Sequence, residues 1–103
     1  MLNQLKDTDF SAHLNQTFRI QLENAELLEL ELIDVALMGS KEVFDPAITG
    51  QRHPFSIVFR GPQTPLLAQQ VYPLEHETMG RLEIFLVPLH SDSQGNRYEA
   101  IFT

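Results

Sequence analysis

Glu75-His76-Glu77 is the densest group of side chains in this chain that could do chemistry, since two carboxylates about the imidazole offer proton transfer or metal binding. On a strand, however, the histidine projects away from both acids. The two carboxylates then share a face about 7 Å apart, a spacing at which one acts as acid and the other as base in glycoside hydrolysis. Such a site also wants an aromatic-lined cleft, and the chain has no tryptophan. Two solvated carboxylates at a strand end is the simpler reading of Glu75 and Glu77.

The four histidines, His13, His53, His76 and His90, raise a metal hypothesis together with Asp92. No two of them stand at i, i+2 or i, i+4, where a strand or a helix aims both rings at one ion, so no metal site is expected. Ser56 falls inside a strand pattern, and Ser91 and Ser93 flank Asp92 in a turn. No Gly-x-Ser-x-Gly elbow presents a nucleophile. The five glycines are separate turn residues rather than a phosphate-cradling loop. The absence of cysteine removes thiolate ligands, a thiol nucleophile and a disulfide framework together. No catalytic residue and no cofactor is therefore expected, and the chain is not read as an enzyme.

The elements that would position these residues are strands. Leu28-Glu29-Leu30-Glu31-Leu32 alternates apolar and acidic side chains without exception, the period-2 signature of a strand with one buried and one wet face. Phe18, Ile20 and Leu22 alternate with Arg19 and Gln21 just before it, and the two segments read as a hairpin with three to five residues in its loop. The expected register stacks Leu22 on Leu28, Ile20 on Leu30 and Phe18 on Leu32, with Arg19 meeting Glu31 outside. After Leu32 the apolar residues Ile33, Val35 and Leu37 change parity. That implies a bulge near Ile33, or a strand covered on both sides.

Upstream, Asp7-Thr8-Asp9 supplies capping groups for a short helix that covers one end of the core with Phe10 and Leu14. Residues 38–54 lack a period and read as a long connection. Phe55 to Arg60 forms a strand with Phe55, Ile57 and Phe59 inward. Leu67 to Glu75 returns as a strand ended or set at an edge by Pro73. Arg81 to Pro88 has Ile84 and Leu86 on one face and Phe85 and Val87 on the other, so both faces want cover, either from this chain or from another. Ser91 to Asn96 turns the chain into a last strand with Tyr98, Ala100 and Phe102 on one face. About six strands, one short N-terminal helix and no βαβ pattern predict a mainly β fold, a single antiparallel barrel or sandwich over residues 1–103.

Charge and length narrow the function. The net charge of −7 is concentrated before residue 51, with nine acids against three bases, whereas five acids meet four bases after it. A chain that wraps phosphates needs the opposite surface, so nucleic acid is an unfavoured partner. The longest apolar stretch, residues 84–89, is interrupted by Pro88 and falls far below the ~20 residues of a membrane helix. Nothing at the N-terminus reads as a signal peptide. A cytoplasmic location fits, with export by a specialised route the alternative.

Phe55-Ser56-Ile57-Val58-Phe59-Arg60-Gly61-Pro62, Gln69 with Tyr72, Glu75-His76, Gly80, Leu82, Phe85-Leu86-Val87-Pro88 and Tyr98-Glu99-Ala100 with Phe102 stand in an order that resembles a family of small bacterial domains of unknown function. The likeness runs from Phe10-Ser11 and His13-Leu14 to the last strand. It departs from the family pattern at Ala68, Gln70 and Thr103, the first two of which bear on the turn before Tyr72. The resemblance brings no catalytic residue with it, and implies a companion of phage-tail-collar-like proteins.

Two functional expectations follow. The first is a non-catalytic interaction or assembly module, accessory to a tail-like or fibre-like structure, meeting a protein partner or a second copy through Ile84 and Leu86. The second is a small-ligand-binding barrel closed by the 38–54 connection, with Arg52, His53 and Tyr72 as polar contacts.

Overall fold

A computed structural model describes residues 5–22, 27–37, 54–64 and 66–102. Along the chain come helix α1 (Asp7–Ser11) and strands β1 (Thr17–Gln21), β2 (Leu27–Leu37), β3 (Phe55–Gly61), β4 (Gln70–His76), β5 (Gly80–Asp92) and β6 (Gly95–Phe102). The strands are antiparallel and close into one barrel in the order β1-β2-β3-β6-β5-β4, with β4 returning to β1. The choice between barrel and sandwich is thus settled for the barrel.

Closure depends on two long strands that each serve two neighbours. β2 pairs with β1 through Leu27–Glu31 and with β3 through Glu31–Leu37. β5 pairs with β4 through Gly80–Leu86 and with β6 through Val87–Asp92. A strand that changes partner along its length must bend, and β2 does so where its register shifts between Leu32 and Asp34. This is the bulge expected at Ile33. Leu32 opposes Phe59 and Val35 opposes Ile57, so the inward parity changes across the extra residue.

The hairpin register differs from expectation by two residues. Phe18 opposes Leu30, Ile20 opposes Leu28 and Arg19 opposes Glu29. A two-residue slip keeps every side chain on its own face, so hydrophobic alternation cannot tell the two registers apart. What fixes it lies upstream: the Asn15 N–H donates to the Leu32 carbonyl at 2.7 Å and the Leu32 N–H to the Gln16 carbonyl at 3.1 Å. Leu32 is thereby engaged by the residues preceding β1 and not by Phe18. Asn15 adopts φ 67°, a left-handed conformation that asparagine tolerates better than most residues.

Phe18, Ile20, Leu30, Leu32, Phe55, Ile57, Phe59, Leu74, Leu86 and Tyr98 fill the barrel and are buried. α1 closes one end. Its Phe10 ring lies 5.9 Å from Phe55 and 5.3 Å from Phe102, which stack on each other at 4.8 Å. Its N-cap is Lys6, just before the expected capping groups Asp7-Thr8-Asp9, and the Lys6 N–H donates to the Asp9 carboxylate at 2.7 Å. It ends at Ser11, so the i, i+4 relation of Phe10 to Leu14 lapses and Leu14 is exposed rather than covering the core.

β4 begins at Gln70 rather than Leu67, and Leu67 is buried in the connection before it. Pro73 lies opposite Glu83 of β5, just outside the two residue pairs, Arg19 with Glu75 and Ile20 with Leu74, that join β4 to β1. A residue without an N–H is tolerated at such a boundary.

Candidate functional site

Ile84 and Leu86, the residues expected to meet a partner, point into the barrel and are buried by this chain's own core. The reason is the phase of β5. Its register places Ile84 opposite Tyr72 and Leu86 opposite Gln70, and sends Phe85 outward beside Val71. The exposed apolar face of β5 therefore belongs to Phe85. Val71 is 53% exposed, Phe85 47% and Ile101 52%, large values for apolar residues within strands. Val87 opposes Glu99 of β6, and Phe85 and Ile101 stand two residues from that pair, on the same outward side.

Glu99 sits within this apolar surface. Its cross-strand neighbours are Val87 on β5 and Val58 on β3, both half-buried. No cation pairs with Glu99 among the described residues, whereas Glu83 bridges to Arg81 at 3.7 Å and Glu29 to Arg19 at 3.9 Å. The face formed by β4, β5, β6 and β3 thus presents Val71, Phe85 and Ile101 together with the Glu99 carboxylate, which no cation pairs among the described residues.

A second cluster joins residues far apart in the sequence. The His13 and His76 rings lie 4.4 Å apart, and His76 also packs on Phe18 at 4.6 Å. His76 Nδ1 accepts the backbone N–H groups of Thr78 and Met79 at 3.0 and 3.2 Å, so its proton resides on Nε2, which donates to Gln16 Oε1 at 2.7 Å. His13 Nδ1 reaches the same oxygen at 2.9 Å. Burial holds the His76 imidazole below the usual histidine range, with neighbouring His13 adding to the effect. This tautomer leaves Nε2 without a lone pair for a metal, and no group of three or more metal-ligating His, Asp or Glu exists among the described residues. Sequence spacing conceals the pair, because only barrel closure brings the residues after α1 to the end of β4.

A shallow recess of about 330 Å³ lies beside the β2–β3 seam, lined by Thr17, Glu29, Glu31, Arg60 and Gln94 among others. Glu31 and Arg60 neutralise each other there in a half-exposed ion pair.

Of the expected ligand contacts, Arg52 and His53 lie outside the described residues, as does most of the 38–54 connection. Tyr72 is buried, and its hydroxyl donates to the Ala68 carbonyl at 2.6 Å. Burial and nearby Tyr98 raise its pKa above the ordinary phenol value, against the lowering effect of the Ala68 bond. The bond ties β4 to the connection that precedes it. Glu75 is exposed on β4 between Arg19 and Arg81, and Glu77 is exposed in the following turn. Ser56 lies in β3 opposite Ile101, and His90 joins Arg97 and Asp92 on the surface at the β5–β6 hairpin. Among the described residues no helix is long and apolar enough to cross a membrane.

No curated protein and no solved structure matches this chain. A family model described as Domain of unknown function (DUF6916) matches residues 5–102, which takes in α1 and every strand of the barrel. The chain belongs to the DUF6916 family.

Proposed function

We propose that this domain is a non-catalytic interaction module that binds a protein partner through the outer face carrying Val71, Phe85 and Ile101. The observation that carries this reading is the exposure of three large apolar side chains on strands whose inward residues Tyr72, Ile84, Leu86 and Ala100 are buried. The occupant is a protein presenting an apolar ridge with a lysine or arginine set to meet Glu99, because a carboxylate flanked by Val58 and Val87 gains a charge-assisted bond when a cation covers it. Two copies of a chain with net charge −7 repel each other, which favours a different partner over self-association. A structural component of a tail-like or fibre-like assembly, such as a tail-collar-like protein, is the first partner to test, with the cytoplasm as the place of assembly.

The test is a tagged pull-down from native extract read by mass spectrometry, using the wild-type chain, Phe85→Lys, Glu99→Lys and Leu27→Lys. Leu27 is as exposed as the proposed contacts but lies at the hairpin end of β2. A stoichiometric protein retained by wild type and Leu27→Lys and lost with Phe85→Lys and Glu99→Lys supports the reading. Equal capture by all four chains overturns it. Light scattering on the purified protein separates the remaining occupant: a dimer abolished by Phe85→Lys replaces the partner with a second copy.

A further inference from the structure

His76 has each ring nitrogen committed. Its Nδ1 holds the β4–β5 turn through the Thr78 and Met79 amides, and its Nε2–H holds Gln16. Gln16 belongs to the connection between α1 and β1, and the same side-chain oxygen engages His13. The ring is 5% exposed and lies against Phe18. A proton arriving at Nδ1 turns that atom from acceptor to donor, so it faces two N–H groups with no lone pair between them. An uncharged acceptor is the only state that this arrangement satisfies.

We propose that His76, Gln16 and His13 form a proton-operated latch between the α1–β1 connection and the β4–β5 turn. Protonation of His76 at Nδ1 expels the Thr78 and Met79 amides, and the charged ring leaves its pocket, opening the turn and the connection while the barrel core stays closed. The surrounding charges set the direction. Arg19 on β1 and His13 on the connection oppose a positive ring, Glu77 on the turn favours it, and β5 presents the uncharged Gly80 opposite His76. Among the described residues the acid that favours a charge on the desolvated ring is Glu77, and it is exposed. Local opening fits the architecture, because β4 joins β1 through only two residue pairs beside the latch.

The experiment is amide hydrogen exchange by NMR on the whole chain between about pH 7.5 and about pH 4.5, expressed as protection factors. Protection at Thr78 and Met79 is expected to fall about tenfold per pH unit below about pH 6.5, one proton being taken up on opening, while Ile57 and Phe59 in β3 hold theirs. Imidazole nitrogen shifts at about pH 7.5 should place the His76 proton on Nε2, and His76→Phe should make protection at the two amides independent of pH. Flat protection in the wild type, a proton on Nδ1 at neutral pH, pH dependence that survives in His76→Phe, or loss in step with Ile57 would each overturn the latch. If His76→Phe does not fold, the wild-type titration and the tautomer decide.

Discussion

Tyr98 shows how a single hydroxyl organises residues outside the strands. Its ring is fully buried, and its oxygen accepts the Leu67 N–H at 3.0 Å. Asn96 works beside it, its side-chain amide donating to the Pro62 and Gln63 carbonyls at 2.9 Å each. Tyr98→Phe therefore leaves the Leu67 N–H without a partner in a buried site, and should lower stability by about 1–3 kcal/mol in urea unfolding, with an unchanged slope. Gly95 is constrained differently. It has φ +124°, and a Cβ there would overlap the Gly61 carbonyl oxygen on β3. Gly95→Ala combines a backbone strain of about 1–3 kcal/mol with that clash, and should cost more than Tyr98→Phe in the same assay.

At the scale of the element, β5 decides what the protein offers its surroundings. Ile84 and Phe85 are adjacent, yet one is 1% exposed and the other 47%. Ile84→Ala should cost about 2–5 kcal/mol through the cavity it leaves, whereas Phe85→Lys should change stability by no more than about 0.5 kcal/mol. Paired denaturation curves check this, and a large loss from Phe85→Lys would place the phase of β5 wrongly. β2 makes the complementary point. Deleting Ile33 removes the extra residue of the bulge and leaves Leu32–Phe59, Asp34–Val58 and Val35–Ile57 as consecutive pairs of a regular ladder, so it takes away the bend and keeps the phase of Val35. The deletion should therefore keep cooperative unfolding but lower its midpoint, because β2 loses the bend at which it passes from β1 to β3, read by circular dichroism on heating.

For the molecule as a whole, acid should act in two separate windows. The His76 pKa is depressed in the fold, first by burial and then by His13, so between that value and about 6.5 the unfolded chain binds the extra proton. Its penalty is absent above about pH 6.5 and grows as the pH falls, with a slope of at most about 1.4 kcal/mol per unit. Asp92 lies lower. The Arg97 hydrogen bond, joined by the Gln94 N–H, holds its carboxyl below the usual aspartate value of 3.8. Its contribution is present above about pH 3.8 and is lost as the pH falls through the depressed value. Urea midpoints measured from about pH 7.5 to about pH 5 should thus decline, His76→Phe should flatten that decline, and Asp92→Asn should leave it unchanged.

The sequence alone determined the inward faces of β1, β3, β6 and the first half of β2, because strict period-2 alternation permits only one set of buried residues. The change of parity from Leu32 to Val35 marked Ile33 as a bulge or as the start of a strand covered on both sides, and the pairing with β3 decided for the bulge. β5 resisted the same reading, since apolar residues on both faces leave its phase undefined until Tyr72 and Gln70 of β4 pair with Ile84 and Leu86. The hairpin register was equally hidden, a two-residue slip being silent in the pattern until Asn15 and Gln16 engage Leu32. The resemblance to a family of unknown function agrees with the family match over residues 5–102. Tertiary structure decided the rest. Closure of the barrel carried His13 to His76 across 63 positions of sequence and set Glu99 between Val58 and Val87, juxtapositions that exist only once non-adjacent strands are paired.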